Sequence, residues 1–223
     1  MTYIVKPLGM LDYQNSWDKM KEFTETRNAD TPDEFWVLEH KPVFTLGLAG
    51  KPEHVLFKDH DIPIVRTDRG GQVTYHGPGQ IVIYTLIDLK RYSLSIRELV
   101  ERLENGIIDF LASHGITANG DRCAPGVYIE GKKIASIGLK VRKNCTYHGI
   151  SFNANMDTTP FNHINVCSYS GLKVVQLKDF ITIDNLENTG LSLANHIATA
   201  VYNLGQVQEH GSQPPLIGVN LRV

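Results

Sequence analysis

The sequence predicts an α/β fold of the α+β kind: a single-domain mixed sheet with flanking helices. Three observations predict it. Apolar residues come in short runs of strand length, such as Phe35-Trp36-Val37-Leu38. A few longer stretches carry helical spacing, and they do not alternate regularly with the strands, which argues against a simple βαβ series. The 223 residues are 42% apolar and 21% charged, an ordinary globular balance that excludes a wholly disordered chain. That length suits one large domain, and no composition shift marks a linker, so residues 1–223 read as one unit.

Tyr13, Trp17 and Met20 recur at i, i+4 and i+7 and predict a helix over 11–27. Strands over 35–38 and 43–46 flank a Lys41-Pro42 turn. Two more are expected over 62–65 and 81–87, and the second is so continuously apolar that it belongs in the middle of a sheet. Ser95 stands three residues before Glu98, the spacing of a capping box. Ile96, Leu99, Val100, Leu103, Ile107 and Phe110 then repeat at helical spacing up to a C-cap at Gly115. A hairpin is predicted from 127–130 and 133–141 around Gly131-Lys132, with another strand over 146–152. A last helix spans 191–204 and ends at Gly205; the tail over 206–223, with Pro214-Pro215, stays unassigned.

The formal charge is −2, from 22 basic and 24 acidic residues, which argues against a nucleic-acid partner. The longest apolar run, 81–87, is too short to span a bilayer, and the first residues lack an apolar stretch of signal-peptide length. Cys123, Cys145 and Cys167 have no paired spacing and make no disulfide framework. These features describe a soluble cytoplasmic protein with reduced thiols and no membrane partner. Nine histidines form neither H-E-x-x-H nor any pattern with C-x-x-C, so no metal or other cofactor is expected, and His76 and His148 read as hydrogen-bonding groups.

The densest feature is Arg69-Gly70-Gly71-Gln72-Val73-Thr74-Tyr75-His76-Gly77-Pro78-Gly79-Gln80. Glycines let backbone come close to a ligand and turn N–H groups toward it, and an arginine can pair with an anion. The segment reads as a binding loop. It is neither a Walker A loop nor a dinucleotide fingerprint. Cys145, beside Arg142 and Lys143 and three residues before His148, has charges that would lower a thiol pKa, while Cys167 lies in a small, polar stretch. On local chemistry these two are equal candidates for a nucleophile. Lys132, Lys133, Lys140, Arg142 and Lys143 form a basic hairpin, either a solvated sheet edge or a docking patch for an acidic partner. Strand alternation would set Lys133 on one face with Ala135 and Ile137, where an ammonium is partly desolvated.

The string from Arg69 to Gln80 closely resembles the signature of lipoyl(octanoyl) transferases, the octanoyl-acyl-carrier-protein:protein N-octanoyltransferases of the biotin/lipoate protein ligase superfamily. Further segments agree in order: His40 to Gly47, Pro125 to Ile129, Lys133 to Gly138, His148 to Asn153 and Ile164 to Cys167. The resemblance runs from about residue 3 to residue 180. It implies the biotin/lipoate protein ligase catalytic-domain fold. It also implies transfer of an octanoyl group from octanoyl-acyl carrier protein to a lysine of a lipoyl domain, the first step of endogenous protein lipoylation. Acceptors would be the lipoyl domains of 2-oxoacid dehydrogenase complexes and the glycine cleavage H protein. By the resemblance the acyl-carrying cysteine is Cys167 and its partner lysine is Lys133. Substrate contacts fall on Arg69, Gly70, Gly71, Gln72, Val73, Thr74, Tyr75 and His76, on Ser136, Ile137 and Gly138, and on Gly149, Ile150 and Ser151. The family usually has Asn-Pro-Cys-Gly around the nucleophile; here Asn165-Val166-Cys167-Ser168 keeps the thiol and loses the flanking Pro and Gly.

A thiolate is both a good nucleophile and a good leaving group, so an acyl-cysteine suits a relay from thioester to amide without ATP. Lys133 would stabilise the thiolate and then take a proton from the acceptor lysine. Backbone N–H groups at Gly70-Gly71 or at an Ile137-Gly138 turn would hold the oxyanion, and an apolar tunnel would take the acyl chain. An ATP-dependent lipoate or biotin ligase on the same fold is the rival; it needs no cysteine, so Cys167 with Lys133 favours the transferase. A non-catalytic acyl- or RNA-binding module is a second rival, opposed by retention of both residues and by the charge of −2.

Overall fold

The apolar runs assemble into two sheets in a computed structural model, which describes residues 3–56, 61–121, 124–165 and 173–202. The larger sheet holds β1 (Tyr3–Leu11), β2 (Asp33–His40), β6 (Gln80–Leu86), β7 (Asn119–Gly120), β8 (Gly126–Ile129), β9 (Lys132–Arg142) and β10 (Cys145–Asn153). Their order is β1-β2-β6-β10-β9-β8-β7. β1 runs parallel to β2, and every other neighbouring pair is antiparallel. β6 is buried throughout, as its continuous apolar run requires. The smaller sheet joins β4 (Ile64–Arg66), β3 (Val43–Leu46) and β5 (Val73–His76) in that order.

β1 was not legible as a strand. It is an edge strand with Ile4 and Met10 exposed, and its register shifts between Pro7 and Gly9, so no apolar alternation survives in the sequence. The Lys41-Pro42 turn does not close a hairpin: it hands the chain from the large sheet to the small one.

α1 (Tyr13–Thr26) covers one face of the large sheet, burying Met20 with Trp36, Tyr84 and Tyr147. α2 (Ile96–Ser113) and α3 (Leu186–Tyr202) cover the other, over a core that includes Phe35, Ile83, Leu103, Phe110, Phe152 and Ile197. The Ser95–Glu98 capping box forms as expected, and Gly115 follows α2 at φ 73°. α3 begins five residues before the expected 191, because Asn185 caps it: Asn185 Oδ1 accepts the N–H of Asn188 at 2.8 Å. The stop expected at Gly205 lies outside the described residues.

The hairpin turn falls at Glu130-Gly131, one residue earlier than expected, with both residues at positive φ as a two-residue hairpin turn requires. β8 pairs with β9 only as far as Ser136. Beyond that point the edge of β9 is met by the glycine loop, where the Gly70 N–H donates to Leu139 O at 2.9 Å. No described helix is long and apolar enough to cross a membrane.

Candidate active site

A cavity of about 330 Å³ lies along this edge of β9, at the lower end of the ~300–1,000 Å³ typical of small-molecule sites. Its wall includes Arg69, Gly70, Gly71, Gln72, Val73, Thr74 and His76 from the loop and β5. β9 adds Ser136, Ile137 and Gly138, and β10 adds Gly149, Ile150 and Ser151. Of the substrate contacts implied by the resemblance, Tyr75 alone is not on that wall. β5 alternates, sending Thr74 and His76 one way and Tyr75 the other. The Tyr75 ring packs in the small-sheet core, 5.4 Å from Phe44 and 5.7 Å from Phe161.

Arg69 does not wait for an anion. Its buried guanidinium donates to Thr45 O at 2.6 Å, Thr45 Oγ1 at 2.8 Å, Gln72 O at 2.7 Å and Gly70 O at 2.9 Å. The arginine builds the loop from within. The Gly70 N–H is committed to Leu139, and Ile137-Gly138 lies within a strand, not in a turn. Of the two amides expected of the loop, that of Gly70 is therefore spent within the fold, and Ile137-Gly138 offers no turn.

Lys133 is 2% exposed. Its Nζ donates to Pro125 O at 3.2 Å and lies 5.2 Å from the centre of the Tyr128 ring. A register shift opposite Val127 and Tyr128 interrupts the simple alternation that would group Lys133 with Ala135 and Ile137. The Lys133 N–H donates to Lys173 O at 2.9 Å, and Lys133 O accepts from Val175 N at 3.0 Å. At the other anchor, Asn165 N donates to His54 O at 2.8 Å. Cys167 lies outside the described residues, as does Cys123.

Six residues beyond Lys133, about 20 Å along the strand at ~3.3 Å per residue, Leu139 pairs with His148. His148 has φ 60°, and its ring stacks 5.1 Å from that of Tyr147, though adjacent strand residues ordinarily point to opposite faces. Its Nε2–H donates to Asp68 Oδ1 at 2.9 Å, which leaves Nδ1 as a buried acceptor without a partner among the described residues. On the cavity wall, the buried Thr74 Oγ1 likewise has no hydrogen-bond partner among the described residues. Burial holds the His148 imidazole below its ordinary pKa, against the pull of Asp68. Burial also opposes the charge on Asp68, but hydrogen bonds from His148 and Tyr147 outweigh it and keep that carboxyl well below the usual carboxylate range. His40 donates Nδ1–H to Leu11 O at 2.9 Å and accepts the Tyr84 hydroxyl at Nε2 at 2.6 Å; burial lowers its pKa to about 4. His76 donates to Gln80 Oε1 at 2.7 Å and is held neutral by burial. The hydrogen-bonding role expected of His76 and His148 is the one observed.

Cys145 is buried, and burial pushes its thiol pKa up, opposite to the effect expected from its basic neighbours. Arg142 and Lys143 are engaged elsewhere: both pair with Glu25 of α1, Lys143 at 2.6 Å. Sequence reasoning missed Ile96, Val100, Val82 and Tyr84 as cavity wall. The signal for Ile96 and Val100 was present in the helical pattern, where they look like ordinary core positions.

The fold and the site together define a class. The pattern of the lipoyl protein ligase A/B catalytic domain matches residues 12–193, and the chain belongs to that family. Within it, the chain is 58% identical over 179 residues to the octanoyltransferase of Chromobacterium violaceum, covering 80% of this chain and 86% of that one. It is 54% identical over 193 residues to the octanoyltransferase of Nitrosomonas europaea, covering 86% and 94%. Among solved structures, the lipoate protein ligase of Thermoplasma acidophilum shares the fold at a TM-score of 0.74 and 14% identity, covering 91% of this chain and 84% of that one.

Proposed function

We propose that this chain is an octanoyltransferase working through an acyl-thioester on Cys167. The donor is octanoyl-acyl carrier protein, and the acceptors are lysines of the lipoyl domains of 2-oxoacid dehydrogenase complexes and of the glycine cleavage H protein. The observation that carries this reading is the setting of Lys133. It is buried on the wall of an apolar cavity, and its backbone is bonded to the segment that follows Cys167. The names of the relatives at 50–58% identity support transfer over ATP-dependent ligation.

In the first step the Cys167 thiolate attacks the donor carbonyl. A new C–S bond forms, the C–S bond to the carrier breaks, and the carrier leaves as a thiolate that takes its proton from the Lys133 ammonium, which leaves that lysine neutral. In the second, the neutral amine of the acceptor lysine attacks the acyl-cysteine. A C–N bond forms, the C–S bond breaks, and the amine's proton passes to Lys133. The extended octanoyl chain has seven C–C bonds, at most about 10 Å at ~1.5 Å each, and fits along Ile137, Val100 and Ile150 of the cavity wall. Each buried CH₂ contributes ~0.8 kcal/mol.

The test is substitution at each thiol. Cys167→Ser abolishes octanoyl transfer and leaves the circular dichroism spectrum unchanged, while Cys123→Ser and Cys145→Ser keep most activity. A dead Cys145→Ser with an active Cys167→Ser would refute the assignment.

A further inference from the structure

Glu104 is a buried carboxylate on α2, 7% exposed, that the two-step transfer leaves unused. Its Oε1 accepts the Gly126 N–H at 2.8 Å. The same peptide group presents its other end to the lysine, since Pro125 O accepts from Lys133 Nζ at 3.2 Å. One peptide unit is therefore held between a carboxylate and an ammonium. Gly126 makes that approach possible: it has φ 144°, and a Cβ there would meet Lys133 Cε at 2.6 Å and run into the Ala135 carbonyl.

A carboxylate at the N–H end polarises the peptide and makes its carbonyl oxygen a stronger acceptor. Direct attraction between the two charges acts the same way. Burial opposes the charge on Glu104, as do Glu101 and Asp121, while the Gly126 N–H and Lys133 favour it. A carboxylate kept in such a setting costs stability that an apolar residue would not, which points to a task for its charge.

We propose that Glu104 is a positioning residue that holds the Lys133 ammonium on the Pro125 carbonyl, through the Pro125–Gly126 peptide. The strut stands on its own geometry; only its catalytic consequence rests on the function proposed above.

The experiment compares reductive methylation of Lys133 by formaldehyde and a borane at pH 8 in the full chain, read by peptide mass spectrometry. Glu104→Gln keeps an oxygen acceptor for Gly126 and removes the charge, so Lys133 reacts about threefold faster or more. Glu104→Asp keeps the charge and stays close to the wild-type rate, which also covers the case in which Glu104→Gln does not fold. Glu101→Gln, three residues back on the same helix, has no effect. Equal rates for Glu104→Gln and wild type overturn the proposal, as does an equal rise in Glu101→Gln. The pH–rate profile of octanoyl transfer is the second readout, and it moves to lower pH in Glu104→Gln. A change in methylation with an unmoved profile supports the strut and removes Lys133 from catalysis.

Discussion

The proposed mechanism gives Lys133 two duties, to stabilise a thiolate and later to accept a proton, and two substitutions separate them. Arginine keeps the charge but does not deprotonate near neutral pH. In Lys133→Arg the acyl-enzyme still forms, transfer to the acceptor lysine fails, and octanoylated Cys167 accumulates. In Lys133→Ala the first step slows as well, because the thiol loses its cation and drifts toward the free value of about 8.5. Rapid-quench mass spectrometry resolves the two steps; wild-type transfer in both variants would remove the lysine from the mechanism. The pairing of Lys133 with Cys167 is implied by the family motif and stays a proposal, since Cys167 lies outside the described residues; the duty of Arg69 was not legible. Its partners include Thr45, 24 residues away, and only folding brings that carbonyl to the guanidinium. Nor was the unpaired Nδ1 of His148 legible, since it follows from a positive φ and from Asp68, 80 residues earlier.

α2 is the element that joins fold to site. Its capping box fixes where the helix starts, its apolar face packs on the sheet, and its first turns present Ile96 and Val100 to the cavity. One turn after Val100 it supplies Glu104 to the Pro125–Gly126 peptide. Enlarging Val100 shortens the space for the acyl chain. Val100→Phe shifts preference from octanoyl toward hexanoyl donors by about tenfold, the size expected if two CH₂ groups lose ~0.8 kcal/mol each. Competition between the two thioesters measures it, and an unchanged ratio would mean that the chain does not run along α2. The boundaries of this helix were legible because cap, apolar period and terminal glycine agree. The hairpin was legible too, apart from a one-residue shift of its turn. What its charges touch was not legible, because Glu25 on α1 pairs with both Arg142 and Lys143 from a distance in sequence that no local pattern reveals.

At the scale of the whole molecule, the division of the ten strands among the described residues between two sheets was not legible. The sequence shows strand-length runs but not that Lys41-Pro42 passes the chain from one sheet to the other. That division places three buried histidines, His40, His76 and His148, around the site between the sheets, all with pKa lowered by burial. The unfolded chain then binds more protons than the fold below about pH 6.5. The stability contributed by neutral His40 is present above that pH and is lost as the pH falls through about 4. His40 alone costs about 2 kcal/mol between pH 7 and pH 5, and His76 and His148 add to the loss. Urea denaturation at the two pH values measures it, and equal stability at both would contradict neutral buried imidazoles. The proposed acyl-thioester on Cys167 is open to direct observation by mass spectrometry of the protein after incubation with octanoyl-acyl carrier protein, without acceptor, ATP or metal. The expected result is one octanoyl group per chain, mapped to the Cys167 peptide and discharged when a lipoyl domain is added. An unmodified chain, an adduct on another residue, or an adduct that forms only with ATP would contradict it.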